Sequence, residues 1–382
     1  MTAWTRAATV VAAVLAACAL LTAPASAAPS EPGALLTFSK VGEQAFGMPG
    51  GRAAYTLTYL SRGAGNTLTP VRATAWIPTT KAPATGYPVT AYGHGTAGLG
   101  DSCTLANAFR AGGRSYGPYF GPWLKNGFLL VAPEYAGIDG PGVHPYLDGR
   151  VSGANLIDAV RAVRQLGAKV GVKVGREFTT SGGSQGGHAS LFAGTMAPKY
   201  APELTLIGTT AVAPPVHMDR YLAALGPYVP SLPIPDYVTY LSYVLRGLAV
   251  ANPWLKVDAY LTPTGKSLLT SAETLCYPDQ VKRSAGVGVG QMLTRSLGQG
   301  PLIRAVRQTQ VVPVRGFRSP VLIHQGVFDV TAFSPLTELY VRDARAAGAN
   351  IDYRRSTTGH DMGGATETVS AKWAHDRYLA GR

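Results

Sequence analysis

The chain has 382 residues, of which 46% are hydrophobic and 14% charged, with a net charge of +13. This composition excludes a disordered or low-complexity protein and implies an ordered globular one. The positive charge favours either approach to anionic lipid surfaces or polymers or simply solubility, and its dispersal along the chain argues against a nucleic-acid-binding surface.

Residues 1–27 have the layout of a secretory signal peptide: Arg6, a run of small apolar residues to Leu21, and Ala25-Ser26-Ala27 as a cleavage site ahead of Ala28-Pro29. Soluble secretion is the expectation, and a lipid anchor on Cys18, within Leu15-Ala16-Ala17-Cys18, is the alternative. No later stretch has the length and purity of a transmembrane span. After processing, about 355 residues remain, so one core carrying a sizeable insertion is expected. Only Cys103 and Cys276 survive in that part. An even pair in an exported chain means one disulfide or two buried thiols.

Residues 54–60 and 71–77 alternate apolar and polar side chains as half-buried strands do. The near-continuous apolar runs 128–133 and 320–324 predict strands covered on both faces, as in a parallel sheet. Between them, Leu156, Ile157, Val160 and Val163 recur at helical spacing, with Asp158, Arg161 and Arg164 outside that face. A further helix is predicted over 336–347, opened by Ser334-Pro335. Strands alternating with helices imply an α/β fold with a mainly parallel central sheet flanked by helices. The interval 215–318 departs from that alternation, with helix-like pieces at 219–225, 237–250 and 266–275 separated by prolines. It is expected to be a helical cap inserted into a core formed by 28–214 and 319–382. The aromatic-rich run 237–245 is expected either to line an apolar cleft or simply to pack cap on core.

The densest chemistry lies in Thr179-Thr180-Ser181-Gly182-Gly183-Ser184-Gln185-Gly186-Gly187-His188. A short strand candidate at 177–180 precedes it and a helix candidate at 188–194 follows, so Ser184 occupies the strand-to-helix turn of a G-x-S-x-G nucleophile elbow. A serine hydroxyl needs a base to take its proton, and in this architecture the order along the chain is serine, acid, histidine. Asp329 follows the strand begun at Pro320, and His360 follows a strand over 351–356, so both emerge on the sheet edge where ligands bind. Asp361 competes as the acid, but a residue adjacent to the histidine rarely faces it. Of the other histidines, His94 and His188 flank glycines near the site, while His144, His217, His324 and His375 lack the strand-end context of His360. The oxyanion needs two preorganised donors. The amide of Gln185 is expected to supply one, and the loop His94-Gly95-Thr96 after the strand 87–93 is either the source of the other, through the amide of Thr96, or a glycine turn without function. No zinc-hydrolase spacing is present, so neither metal nor cofactor is expected.

The runs Gly93 to Cys103 (GHGTAGLGDSC) and Ala132 to Arg150 (APEYAGIDGPGVHPYLDGR), the motif GGSQGGH, and the spaced Asp329 and His360 together resemble the secretory lipase family of α/β-hydrolases, the fungal lipase A type. The resemblance covers nearly all of the mature chain. It implies an α/β-hydrolase fold, hydrolysis of carboxylic esters, often of lipids, beneath a helical cap, and a bridge between Cys103 and Cys276. The chain departs from the family at Gly183, where an aromatic residue or histidine is usual before the nucleophile, and in the loop His94-Gly95-Thr96, where fungal members carry an acidic residue. The resulting expectation is a secreted, monomeric lipase or esterase with the triad Ser184, Asp329 and His360, acting on small-molecule or lipid esters with transient contact at a lipid interface. An exported serine peptidase using the same triad, or a binding protein on a retired hydrolase scaffold, are the competing classes.

Overall fold

The computed structural model describes residues 30–42, 47–110, 116–230 and 235–381. The predicted signal peptide 1–27, with Cys18, lies outside them. The strands are β1 (Leu35–Val41), β2 (Gly51–Arg62), β3 (Leu68–Pro78), β4 (Tyr87–Gly93), β5 (Leu129–Pro133), β6 (Val174–Gly182), β7 (Thr205–Val212), β8 (Val321–Gly326) and β9 (Ile351–Ser356). They form one nine-stranded sheet in the order β1-β2-β3-β5-β4-β6-β7-β8-β9. The three N-terminal strands pair antiparallel, and β3 meets β5 antiparallel. From β5 through β4, β6, β7 and β8 to β9 every pairing is parallel. The parallel half is buried on both faces, which is why its strands are apolar runs rather than alternating ones.

Helices cover both faces. On one, α3 (Gly149–Val170) and α4 (Gln185–Tyr200) pack against the sheet through Leu156, Val160, Val163, Ala189 and Ala193, meeting Leu57, Val89, Val131 and Phe178. On the other, α2 (Gly117–Lys125) and α12 (Gly363–Ala380) bury Phe120, Trp123 and Trp373 against Trp76, Tyr92 and Leu130. The short α1 (Leu105–Arg110) precedes α2, and α11 (Ser334–Ala346) crosses over between β8 and β9.

Helix α3 begins seven residues before the predicted amphipathic segment. Asp148 caps it, its carboxylate accepting from the amides of Arg150 and Val151, and Gly171 ends it in the left-handed region. Its first turns are too closely packed to show a polar face: a Cβ on Gly149 would lie 2.0 Å from the Phe192 ring, and one on Gly153 2.9 Å from the amide of Ala193. Asp158, expected on the polar side, is fully buried. It accepts from the Ser61 hydroxyl at 2.7 Å, Arg161 at 2.8 Å and the Tyr200 hydroxyl at 2.9 Å, so the position is paid for by satisfied hydrogen bonds.

Between β7 and β8 the described residues fold into α5 (Met218–Ala223), α6 (Pro235–Ala251), α7 (Pro263–Ala272), α8 (Tyr277–Ser284), α9 (Val289–Met292) and α10 (Gly300–Thr309). This insert has its own apolar core, in which Leu245, Leu248, Leu268, Leu302 and Val306 meet Leu99, Tyr146 and Leu147 from the loops at the end of the sheet. The insert is therefore packed onto the carboxyl ends of the parallel strands.

Candidate active site

Four sequence-predicted site residues leave the carboxyl ends of parallel strands: Thr96 after β4, Ser184 after β6, Asp329 after β8 and His360 after β9. The fold brings three of them into one hydrogen-bonded line. His360 Nε2 stands 3.0 Å from Ser184 Oγ, and His360 Nδ1 stands 2.8 Å from Asp329 Oδ2. With the Nδ1 proton donated to the carboxylate, Nε2 is left to accept from the serine hydroxyl. Asp329 is buried and held by the amides of Thr331 and Ala332, both at 2.9 Å, and by the Gln325 side chain at 3.0 Å. Asp361 instead accepts from the amide of Gly363.

Ser184 has φ 53° and ψ −119°, a conformation that costs a non-glycine residue about 1–3 kcal/mol and has to be imposed by its surroundings. Its amide donates to the Val212 carbonyl at 2.8 Å, and its carbonyl accepts from the amide of His188 at 3.0 Å. The turn also needs β4 and α4 in near contact. A Cβ on Gly186 would lie 1.8 Å from the Gly93 carbonyl oxygen, and one on Gly182 would lie 2.3 Å from the same atom. A Cβ on Gly187 would meet the Val212 oxygen at 3.0 Å, whereas on Gly183 the nearest atom is 3.9 Å away.

Gln185 is the first residue of α4, so its amide lies beyond the reach of the helix's own hydrogen bonds. Thr96 lines the same cavity as Ser184. The Thr96 hydroxyl is already engaged with the Tyr146 hydroxyl at 2.6 Å. The loop carrying Thr96 is tied to the insert: Cys103 and Cys276 form a disulfide, and the amide of Tyr277 donates to the Ala97 carbonyl at 2.8 Å. Gly98 sits against this bridge with φ 135°, where a Cβ would lie 2.6 Å from Cys103 Sγ.

The remaining histidines have other work. His144 donates from Nδ1 to the Ala136 carbonyl and accepts at Nε2 from the Gln185 side chain at 2.8 Å. Burial pushes it down to about 4, so it stays neutral at neutral pH and orients the residue after the nucleophile. His188, bonded to the Gln310 carbonyl, and His324 are likewise pushed down to about 4 by burial. His94 is buried beneath the loop of Thr96, its Nε2 4.0 Å from Glu134 Oε2. Burial lowers the histidine and raises the Glu134 carboxyl to about 8, so at neutral pH the two form a neutral contact rather than an ion pair. His144, Tyr146 and Glu134 were not expected as site residues. Their signal lies in the run between β5 and α3, whose pattern of small and polar residues does not distinguish a loop from a wall.

A mixed, mainly parallel sheet with a serine at the β6–α4 turn, an acid after β8 and a histidine after β9 defines an α/β-hydrolase. Residues 119–381 match the secretory lipase family, and the chain belongs to that family. It is similar to a trichothecene C-3 esterase of Fusarium sporotrichioides, 23% identical over 288 residues that make up 72% of this chain and 62% of that protein. It is also similar to a probable inactive lipase of Mycobacterium tuberculosis, 24% identical over 271 residues, 67% of this chain and 56% of that protein. The chain thus spans about six-tenths or less of the length of these curated relatives. Among solved structures, Candida antarctica lipase A in its closed state superposes with a TM-score of 0.70 at 19% identity, covering 91% of this chain and 83% of that one.

Proposed function

We propose that the chain is a secreted serine carboxylic ester hydrolase of the lipase and esterase type, with Ser184, His360 and Asp329 as its triad. The observation that carries this reading is the hydrogen-bonded line from Ser184 Oγ through His360 to Asp329, at 3.0 and 2.8 Å, on a serine held at positive φ. As Ser184 Oγ bonds to the ester carbonyl carbon, its proton passes to His360 Nε2. The carbonyl oxygen, now an oxyanion, accepts from the amides of Gln185 and Thr96 at the N-terminus of α4 and in the loop after β4. Collapse of the tetrahedral species breaks the bond to the alcohol oxygen, which leaves with the proton held on His360. A water then gives a proton to His360 as its oxygen attacks the acyl carbon, and the acid departs as Ser184 regains its hydrogen. Asp329 orients the imidazole and stabilises its cationic form throughout.

In this reading 28–214 and 319–382 are the catalytic core, and 215–318 is a cap that walls the substrate site. Lipid-type esters are the substrates that family membership favours. The disulfide and the N-terminal leader favour export. One relative is a probable inactive lipase, but here the nucleophile, base and acid are all chemically competent and within hydrogen-bonding distance. The test is Ser184→Ala assayed on a soluble short-chain ester, with circular dichroism to establish that the variant is folded. Turnover is expected to fall by at least about 10⁴-fold. Undiminished turnover by a folded variant overturns the reading.

A further inference from the structure

Two cavities meet at Ser184 and His360. One is narrow, about 50 Å³, and its walls are mostly apolar, with Leu147, Val216 and Leu241 beside Tyr221, Tyr237 and Phe333. The other is about 310 Å³ as lined by the described residues, and its walls are of a different kind. Tyr92, Tyr119, Tyr240 and Tyr277 face it together with the carboxyl groups of Asp236 and Asp361, and among the described residues no lysine or arginine lines it. The Tyr277 hydroxyl donates to Asp236 Oδ1 at 2.6 Å, and the Tyr240 and Tyr277 rings stack with centroids 5.3 Å apart.

Gly183 belongs to the wider cavity. The elbow's close contacts account for Gly182, Gly186 and Gly187, each of which would drive a Cβ into backbone at 3.0 Å or less. They do not account for Gly183, whose Cβ would meet only the Val212 carbonyl and side chain, at 3.9 and 4.0 Å, and whose φ lies outside the left-handed region. A glycine that neither sterics nor backbone conformation requires loses conformational freedom without return inside the protein. What its missing side chain leaves is space immediately beside the nucleophile, on the side of the wider cavity.

Building on the ester-hydrolase reading above, we propose that Gly183 is a specificity-determining residue that holds open a leaving-alcohol chamber, so that the preferred substrates are esters of bulky, ring-containing, hydroxylated alcohols with slender acyl chains. The narrow apolar slot suits a methylene chain, whose burial away from water is favourable. Flat tyrosine faces suit a ring, and the phenol and carboxyl oxygens suit hydroxyl groups on that ring. Cleavage follows the steps given for Ser184, the ring-bearing alcohol leaving with the proton from His360.

The test uses butyrate esters of two aliphatic alcohols of matched basicity, ethanol and a hydroxylated bicyclic alkanol, with wild type and Gly183→Ala, Gly183→Val and Gly183→Leu. Since both esters give the same acyl-enzyme, kcat/KM isolates the step in which the alcohol is still bound. Wild type is expected to favour the bicyclic ester. The ratio of the two kcat/KM values is expected to fall stepwise with side-chain size, by about tenfold or more in Gly183→Leu. The acyl-length profile of ethyl esters is expected to keep its shape, since the slot is elsewhere. A wild type that favours the ethyl ester, or a ratio that does not move across the series, overturns the proposal while Ser184-dependent turnover leaves the hydrolase reading standing. If the leucine variant does not fold, the alanine and valine variants decide, because the alanine Cβ fits without displacement. Absence of turnover on every ester, or turnover untouched by Ser184→Ala, overturns both.

Discussion

Gly186→Ala adds one methyl group, and the structure says what it meets. The new carbon would stand 1.8 Å from the Gly93 carbonyl oxygen and 2.4 Å from its carbonyl carbon, both backbone atoms of a central strand. An ordinary contact there needs more than 3 Å, so α4 has to retreat from β4 by over 1 Å. In an unhindered helix the same substitution would stabilise the protein by about 0.5–1 kcal/mol. Here overpacking of that kind costs about 1–3 kcal/mol, and the steepness of this overlap places the loss at the upper end or beyond. The functional loss should be larger in proportion, because α4 carries both Ser184 and the Gln185 amide, and about 1 Å of misplacement at a reacting centre costs about 10²-fold. Urea unfolding of purified variant and wild type reads the first effect, and kcat/KM on a short-chain ester reads the second. A Gly186→Ala protein with an unchanged unfolding midpoint and unchanged kcat/KM would refute the close-contact account of the elbow.

Two further expectations concern stability. The Cys103–Cys276 bridge joins positions 173 residues apart, and the chain-entropy relation assigns such a loop on the order of 5 kcal/mol. Cys103→Ala combined with Cys276→Ala should therefore lower the urea midpoint well beyond the effect of a surface substitution, and an unchanged midpoint would show that the insert's apolar core alone holds it in place. The Glu134 carboxyl is raised to about 8 by burial, with Asp139 adding to the rise and Arg72 opposing it. The folded state thus keeps a proton that the unfolded chain has released above about 4.5, so this group's contribution is fully present at lower pH and is lost as pH rises through about 8. Glu134→Gln, which cannot ionise, should lose less stability than wild type between pH 5 and pH 8.5, and parallel pH profiles would contradict the raised value.

The geometry of the proposed triad was readable because its residues sit at punctuation: a glycine-flanked serine after one strand, an aspartate and a histidine each just past another. The chain order of such an architecture did the rest, and the sheet brought Ser184, Asp329 and His360 to 3.0 Å or closer across 176 residues. Strand β7 was not anticipated, because Gly208-Thr209-Thr210 interrupts its apolar pattern. Those residues are buried. The Gly208 carbonyl accepts from Thr179, Thr210 donates to Ser181, and a Cβ on Gly208 would strike the Trp373 ring at 2.7 Å. Polar residues satisfied by distant partners leave no local trace. Edge strand β1 was hidden for the opposite reason, since most of it is exposed and its pairing with β2 is set by register rather than by burial. Asp158 and His144 repeat the lesson of β7: each is buried with partners, Ser61 and Gln185, that lie 97 and 41 residues away.

The attachment of the insert limits how it can open. The loop after β4 is held at three points: the Thr96 hydroxyl on Tyr146, the Ala97 carbonyl on the amide of Tyr277, and Cys103 on Cys276. Two of these join it to the start of α8. A swing of the whole insert away from the sheet would drag the loop of Thr96, the proposed oxyanion donor, with it. Near the start of α6, Tyr240 meets both cavities and Tyr237 the narrow one, and this end of α6 is tied to the same staple, Tyr240 stacking on Tyr277 and Asp236 accepting from the Tyr277 hydroxyl at 2.6 Å. Tyr237 also donates to the Val330 carbonyl at 2.7 Å, beside Asp329.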